Sequence, residues 1–190
     1  MNIVIAAVGG QGALFASRVI GRVALDKGLD VKVSEVHGMS QRGGSVVTYV
    51  RYGEHIASPV VEEGFADVVM AFEMLEGGRY VSYLKRGGTA IINSQKISPL
   101  PVLLGGAAYP ADIAGKVRKL GVTVKVVDAL AAAREAGNVK ATNAVMLGVL
   151  ATVSDFSGGQ WRDAIRETSP AKFAETNLKA FEKGYRGVSV

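Results

Sequence analysis

None of the 190 positions is cysteine, and this excludes a class of chemistry. Iron–sulfur clusters are held by cysteine thiolates, and structural zinc sites usually need them as well. The chain therefore cannot ligate a conventional cluster alone, and the absence also fits a reducing compartment. Long apolar runs are missing too. The longest, from Ala144 to Val153, is far short of the roughly 20 residues that cross a bilayer. The opening Met1-Asn2-Ile3-Val4-Ile5 passes straight into a strand-like run without a basic leader, so a cytosolic protein with no membrane contact is expected. The net charge of +5 suits an acidic partner or a phosphorylated ligand. Its basic residues are scattered, however, with no aromatic-interleaved patch of the nucleic-acid-binding kind. No nucleophile with a matched base, no metal cluster and no acid–base dyad can be recognised, so no catalytic residue and no metal ligand is assigned.

What is present describes an α/β protein. A hydrophobic content of 48% with five prolines supplies enough apolar surface for one core, and a single domain over residues 1–190 is expected. Asn2 to Val8 is almost continuously apolar, as a strand buried on both faces would be. After Gly9-Gly10-Gln11-Gly12, the stretch from Ala13 to Lys27 places Phe15, Val19 and Val23 on one helical face and ends at Gly28, a residue suited to a left-handed cap. Val31 and Val33 alternate with Lys32 and Ser34 in a second strand, which makes the first 35 residues a βαβ unit. Further strands are predicted at Ser45 to Arg51, Val68 to Phe72, Thr89 to Asn93 and Val122 to Val127. Between them lie helical patterns at Met74 to Leu84 and Ala111 to Leu120, the second bracketed by Pro110 and Gly121. Ala129 to Ala136, Thr142 to Val153, Gln160 to Glu167 and Ala171 to Lys183 favour helix, with Ser169-Pro170 as a cap and first-turn pair. The expected fold is three-layered: a mostly parallel sheet, helices on both faces and a helical C-terminal third.

Two segments can carry binding chemistry. Gly9-Gly10-Gln11-Gly12, between a buried strand and a helix, exposes backbone N–H groups at the positive helix end, where a phosphate or carboxylate is favoured. Read as Ala7-x-Gly9-x-x-Gly12, with Glu35 near the end of the second strand, it approximates a dinucleotide fingerprint, although Ala7 stands where the tight turn calls for glycine. The same glycines also permit close strand–helix packing with no ligand at all. The second segment, Glu35-Val36-His37-Gly38-Met39-Ser40-Gln41-Arg42-Gly43-Gly44, crowds an acid, a histidine, a hydroxyl, an amide and a guanidinium between two strands. Arg42 offers planar donors to a phosphate or carboxylate, and Ser40 and Gln41 add neutral hydrogen bonds. A plain solvated loop with Arg42 paired to Glu35 is the simpler alternative. The candidate binding residues are thus Gly9, Gly10, Gln11, Gly12, Met39, Ser40, Gln41, Arg42, Gly43 and Gly44. Glu73 and Glu76 read as carboxylates complementing a helix dipole, and Asn143 and Asn177 as buried hydrogen-bonding groups on apolar helical faces.

Val8-Gly9-Gly10-Gln11-Gly12 followed by Glu35-x-x-Gly38-Met39-Ser40-Gln41-Arg42-Gly43-Gly44 resembles the gamma-type domain of 2-oxoacid:ferredoxin oxidoreductases. The likeness continues through Val50-Arg51-x-Gly53, Phe72-Glu73-x-Leu75-Glu76, Asn143 with Leu147-Gly148, and Asn177 with Ala180-Phe181 and Gly184. It therefore covers nearly the whole chain, departing at Ala7, where the family pattern has glycine. His37 and the free-standing chain without cysteine resemble the indolepyruvate (aryl-pyruvate) branch. The resemblance implies a small subunit, inactive alone, that assists coenzyme A-dependent oxidative decarboxylation of a 2-oxoacid to an acyl-coenzyme A, with electrons passed to ferredoxin. It also implies a larger partner subunit bearing thiamine diphosphate and iron–sulfur clusters, because this chain has neither cysteine nor a Gly-Asp-Gly segment. Coenzyme A becomes a possible shared ligand of the two motifs. Two readings compete with this one: a stand-alone nucleotide- or flavin-binding Rossmann-like protein, and a purely structural assembly subunit.

Overall fold

The computed structural model describes residues 1–38 and 43–187. Asn2–Val8 forms β1, buried from Ile3 onward, and Ala13–Leu25 forms α1, which buries Ala16, Val19, Ile20, Val23 and Ala24. Gly28 follows with a positive φ of 73°, the left-handed backbone expected just past a helix end. The remaining strands are β2 (Asp30–His37), β3 (Ser45–Gly53), β4 (Ala66–Ala71), β5 (Leu84–Asn93) and β6 (Thr123–Val127). They make one six-stranded sheet in the order β2-β3-β1-β4-β5-β6.

The pairing corrects one expectation. β2 does not lie beside β1; β3 lies between them, antiparallel to both, while the β1–β4, β4–β5 and β5–β6 pairs are parallel. Burial explains the arrangement. Ser45–Gly53 is largely buried, as a strand with two neighbours should be, whereas Asp30–His37 is half-exposed throughout and suits an edge. The second motif is accordingly the bend of an antiparallel hairpin, and its first residues, Glu35 to His37, belong to β2 itself.

Helices cover both faces. α1, α5 (Ala129–Glu135), α6 (Thr142–Ala151), α7 (Gly158–Thr168) and α8 (Ala171–Arg186) pack on the side of Ile3, Ile5, Ala7 and Met70. α2 (Met74–Arg79) and α4 (Ile113–Arg118) pack on the side of Val4, Ala6, Val69 and Ile92. A four-residue helix, α3 (Leu100–Leu103), was not anticipated, and its leucines are exposed.

α2 is shorter than its sequence pattern, and it contains Gly77 and Gly78, where a Cβ would come within 2.9 Å of Ile92 and 2.8 Å of Ile113. The chain continues as a 3-10 turn at Val81–Tyr83. α4 begins after Asp112, whose side chain accepts from the Gly115 N–H at 3.1 Å, rather than at Ala111. Ser169 does not cap α8 either: Pro170 takes the cap position, and the Ser169 hydroxyl accepts from Asn177 Nδ2 at 3.0 Å. α6 is buried from Asn143 to Ala151. It meets α8 through glycines on each side: a Cβ on Gly148 would strike the Phe181 carbonyl oxygen, and one on Gly184 the Val145 carbonyl oxygen.

Candidate functional site at the glycine turn

β1 ends in the middle of the sheet, and the chain leaves it through Gly9 to Gly12 into α1. Gly10 and Gly12 adopt φ of 102° and 88°, a region that side chains resist. Gly12 is also fixed sterically, since a Cβ there would collide with the Asn143 amide. The Gly9 N–H donates to the Gly44 carbonyl at 2.9 Å, so the fold joins the end of the second motif to the first. Gly43 has φ of 76°. Met39, Ser40, Gln41 and Arg42, the centre of the sequence-derived site, lie outside the described residues.

Gln11 is committed to structure. Its Oε1 accepts from the Val8 N–H at 2.8 Å, and its Nε2 donates to the Phe72 carbonyl at 3.0 Å and to Gln95 Oε1 at 3.3 Å. Asn93 extends this network by donating to the same Phe72 carbonyl at 3.0 Å and accepting from the Ala129 N–H at 3.2 Å. Three side chains thus tie together the ends of β1, β4 and β5 and the start of α5. This rim is a switch point, because the helix after β1 crosses to one face of the sheet and the helix after β4 to the other. Open α/β sheets bind ligands at such points. Sequence reasoning did not single out Asn93 or Gln95; the amides closing the apolar run Ala90 to Ile92 were the available signal.

Two clefts flank the glycine turn. One, of 460 Å³, is lined by the turn together with Glu35, His37 and Val46. The other, of 420 Å³, is lined by the turn with Gln95, Ile97, Leu130, Lys140 and Asn143. Glu35 accepts a long hydrogen bond of 3.5 Å from Thr48, and its Oε1 is 4.0 Å from His37 Nε2. The dinucleotide fingerprint is incomplete here: Glu35 is carried by the edge strand, one strand removed from β1, rather than by its neighbour.

Glu73 and Glu76, both nearly fully buried, hold the rim from the opposite face of the sheet. Glu73 caps α2, as a dipole-complementing carboxylate should, accepting from the Glu76 N–H at 3.0 Å. It also accepts from the Ile97 N–H at 3.0 Å and from the Tyr109 hydroxyl at 2.5 Å. Burial first, and then the Glu73 carboxylate, push the Tyr109 phenol above its ordinary range. Glu76 accepts from the Ser45 hydroxyl and from Arg79 Nε at 3.2 Å, anchoring the residue at which the chain enters β3 from the second motif. Nearby, burial and a 3.2 Å hydrogen bond to Tyr83 push the Tyr49 phenol up to about 12. Asn177 makes the expected hydrogen bond, to Ser169, but is half-buried rather than buried. Asn143 does not: it packs against Gly12 without a hydrogen-bond partner among the described residues. Among those residues, no group of three or more His, Asp or Glu is placed to hold a metal.

This combination of fold and glycine-rich rim is that of a known family. Residues 2–187 match the family model described as pyruvate ferredoxin/flavodoxin oxidoreductase, and the chain belongs to that family. It is 44% identical to the indolepyruvate oxidoreductase subunit IorB of Thermococcus kodakarensis, over 97% of this chain and 94% of that one. The crystal structure of pyruvate oxidoreductase subunit PORC from Thermotoga maritima is similar, with a TM-score of 0.75 at 23% identity, covering 100% of this chain and 97% of that one. The 2-oxoglutarate:ferredoxin oxidoreductase of Magnetococcus marinus is similar over 98% of this chain but only 30% of that one, with a TM-score of 0.72 at 20% identity.

Proposed function

We propose that this chain is the small subunit of an indolepyruvate-type (aryl-pyruvate) 2-oxoacid:ferredoxin oxidoreductase. It works as a single domain against a larger partner subunit in the cytoplasm. The observation that carries the reading is the end-to-end 44% identity with an indolepyruvate oxidoreductase subunit. The complex would convert a 2-oxoacid, coenzyme A and two oxidised ferredoxins into an acyl-coenzyme A, carbon dioxide, a proton and two reduced ferredoxins. With no cysteine and no metal-binding group among its described residues, this chain does not fit an iron–sulfur cluster. The clusters and thiamine diphosphate are assigned to the partner, where the cofactor supplies the decarboxylation chemistry and the clusters carry the electrons.

The role left to this chain is shaping and positioning. Glu76 and the Gly9–Gly44 hydrogen bond hold the C-terminal end of the second motif beside the glycine turn; in this reading Met39 to Gly44 and Gly9 to Gly12 serve the partner's site, with Arg42 the contact for a coenzyme A phosphate or a partner carboxylate. The test is co-expression with the larger subunit, followed by assay of 2-oxoacid- and coenzyme A-dependent ferredoxin reduction. Activity is expected from the complex and none from this chain alone. Arg42→Ala should raise the Michaelis constant for coenzyme A or weaken association, the loss corresponding to about 2–5 kcal/mol if the contact is desolvated. Electron transfer by the pure chain, or a stoichiometric bound flavin or nicotinamide, would overturn the subunit reading.

A further inference from the structure

β2 is an edge of the sheet, and its outer side has no paired strand among the described residues. Proteins that stay single keep such edges short, bulged or charged, because free N–H and C=O groups recruit another strand. β2 is eight residues long, and its register with β3 runs unbroken from Asp30 to His37. Its one lysine, Lys32, is engaged at 2.5 Å by Asp30 on the same face of the strand, so its charge does not guard the edge. Beside the strand lies a groove of 540 Å³, lined in part by Gly21, Arg22 and Leu25 of α1 and by Val31 and Val33 of β2. Leu25 and Val33 are 59% and 45% exposed, an apolar strip that the fold itself leaves uncovered.

The edge is self-complementary in one register. Two copies of an edge strand pair antiparallel about a two-fold axis normal to the sheet, so each side chain keeps its face and the residue on the axis meets itself. With the axis at Val31, Val31 faces Val31, Leu29 faces Val33, and Asp30 faces Lys32 on both sides of the axis, where opposite charges across strands stabilise. Asp30 Oδ2 stays with the Ile56 N–H at 2.9 Å, which leaves Oδ1 for either lysine. An axis at Asp30, Lys32 or Glu35 sets like charges opposite each other, and one at Val33 or Ser34 sets Glu35 opposite a valine. An axis at Val36 pairs Glu35 with His37, but the groove is lined by Val31 and Val33 and not by Val36. Only Val31 joins paired charge to apolar contact.

We propose that β2 is a self-association edge, which pairs antiparallel with β2 of a second copy about Val31 and joins the two sheets into one. Asp30 and Lys32 form reciprocal ion pairs across the axis, and Leu25, Leu29 and Val33 of both copies close the groove. The paired stretch lies toward the opposite end of β2 from Glu35 and His37, which line a cleft at the glycine turn. No larger subunit takes part in this pairing, so its failure leaves the subunit assignment standing.

Sedimentation velocity of the full chain, from low to high micromolar concentration, should show a monomer–dimer equilibrium. Val33→Asp, at an exposed position, should weaken the dimer about tenfold or more by setting a charge against Leu29 of the second copy. Lys32→Glu should weaken it about fivefold, since each new carboxylate faces Asp30. Val36→Asp, on the same strand but outside the ladder, should leave it unchanged, with circular dichroism confirming that all three variants are folded. The chain has no cysteine, so Val31→Cys supplies a single thiol that should form an intermolecular disulfide on mild oxidation. Val33→Cys, opposite Leu29 rather than its own copy, should not. A chain that stays monomeric throughout, equal weakening by Val36→Asp and Val33→Asp, or cross-linking at Val33 in preference to Val31 would each overturn the proposal. Protection of the β2 amides from hydrogen exchange only when the larger subunit is present would overturn it too, and would give the edge to that partner.

Discussion

At the scale of single residues, the rim is held by amides that share acceptors. The Phe72 carbonyl accepts from both Gln11 and Asn93, so either donor can be lost while the carbonyl keeps a partner. Asn93→Ala should therefore cost about 1–3 kcal/mol, chiefly for the stranded Ala129 N–H, and Gln11→Ala a similar amount for Val8. The double variant strands the Phe72 carbonyl as well. Urea denaturation of the four proteins should show it losing about 1 kcal/mol more than the sum of the single changes. Additivity within about 0.3 kcal/mol would show that the shared acceptor does not couple them. Much of this detail was illegible in the sequence. Glu73 announced itself as a helix-end carboxylate because that role depends on local spacing. The contacts of Gln11 with Phe72 and Gln95, and of Asn143 with Gly12, were not legible because those neighbours are distant in sequence.

Elements were easier to read than their neighbours in space. All six strands were legible as apolar or β-branched runs, and α1 and α6 as helices, because periodicity and composition are local. The position of β2 was not, since one antiparallel strand inserted into the sheet changes no local pattern; only the alternation of Val31 and Val33 with Lys32 and Ser34 hinted at an edge. The contact between α6 and α8 was equally hidden, although both of its glycines stood out. Gly184→Ala should cost about 1–3 kcal/mol, because the new methyl meets the Val145 carbonyl and forces the helices apart. Gly159→Ala, on the exposed side of α7 with only the Ser157 hydroxyl at 3.8 Å, should instead stabilise by about 0.5–1 kcal/mol. Thermal midpoints moving in opposite directions are expected. A neutral Gly184→Ala would mean that α6 and α8 can separate without loss.

Over the whole molecule, ionisation limits stability at both ends of the pH scale. The phenols of Tyr49, Tyr52 and Tyr109 are all raised above their ordinary value, by burial first and then by a neighbouring phenol or carboxylate. A raised phenol leaves stability intact below the unfolded value of about 10, and stability is lost as pH climbs from there toward the folded values. Burial raises Asp67 as well, but the Lys85 ion pair and the Asn2 N–H at 2.6 Å outweigh it and lower its pKa. Its contribution is present above the unfolded value of about 3.9 and fades below it. Unfolding midpoints should thus form a plateau that falls above about pH 10, and Tyr52→Phe should make the alkaline fall shallower. An unchanged alkaline slope would show that Tyr52 titrates normally.

The central place of β1 also sets a timetable for synthesis. Its partners are encoded far downstream, Asn2 pairing with Arg51 and Ile3 with Val68, whereas the hairpin of β2 and β3 needs only the short bend between His37 and Ser45. On the ribosome, α1 and the hairpin can form from local contacts, while one flank of the apolar first strand stays open until β4 has emerged. The segment that ends in the glycine turn therefore precedes its partners in synthesis and is among the last to be enclosed, and until β4 emerges its open flank is free to pair with another chain.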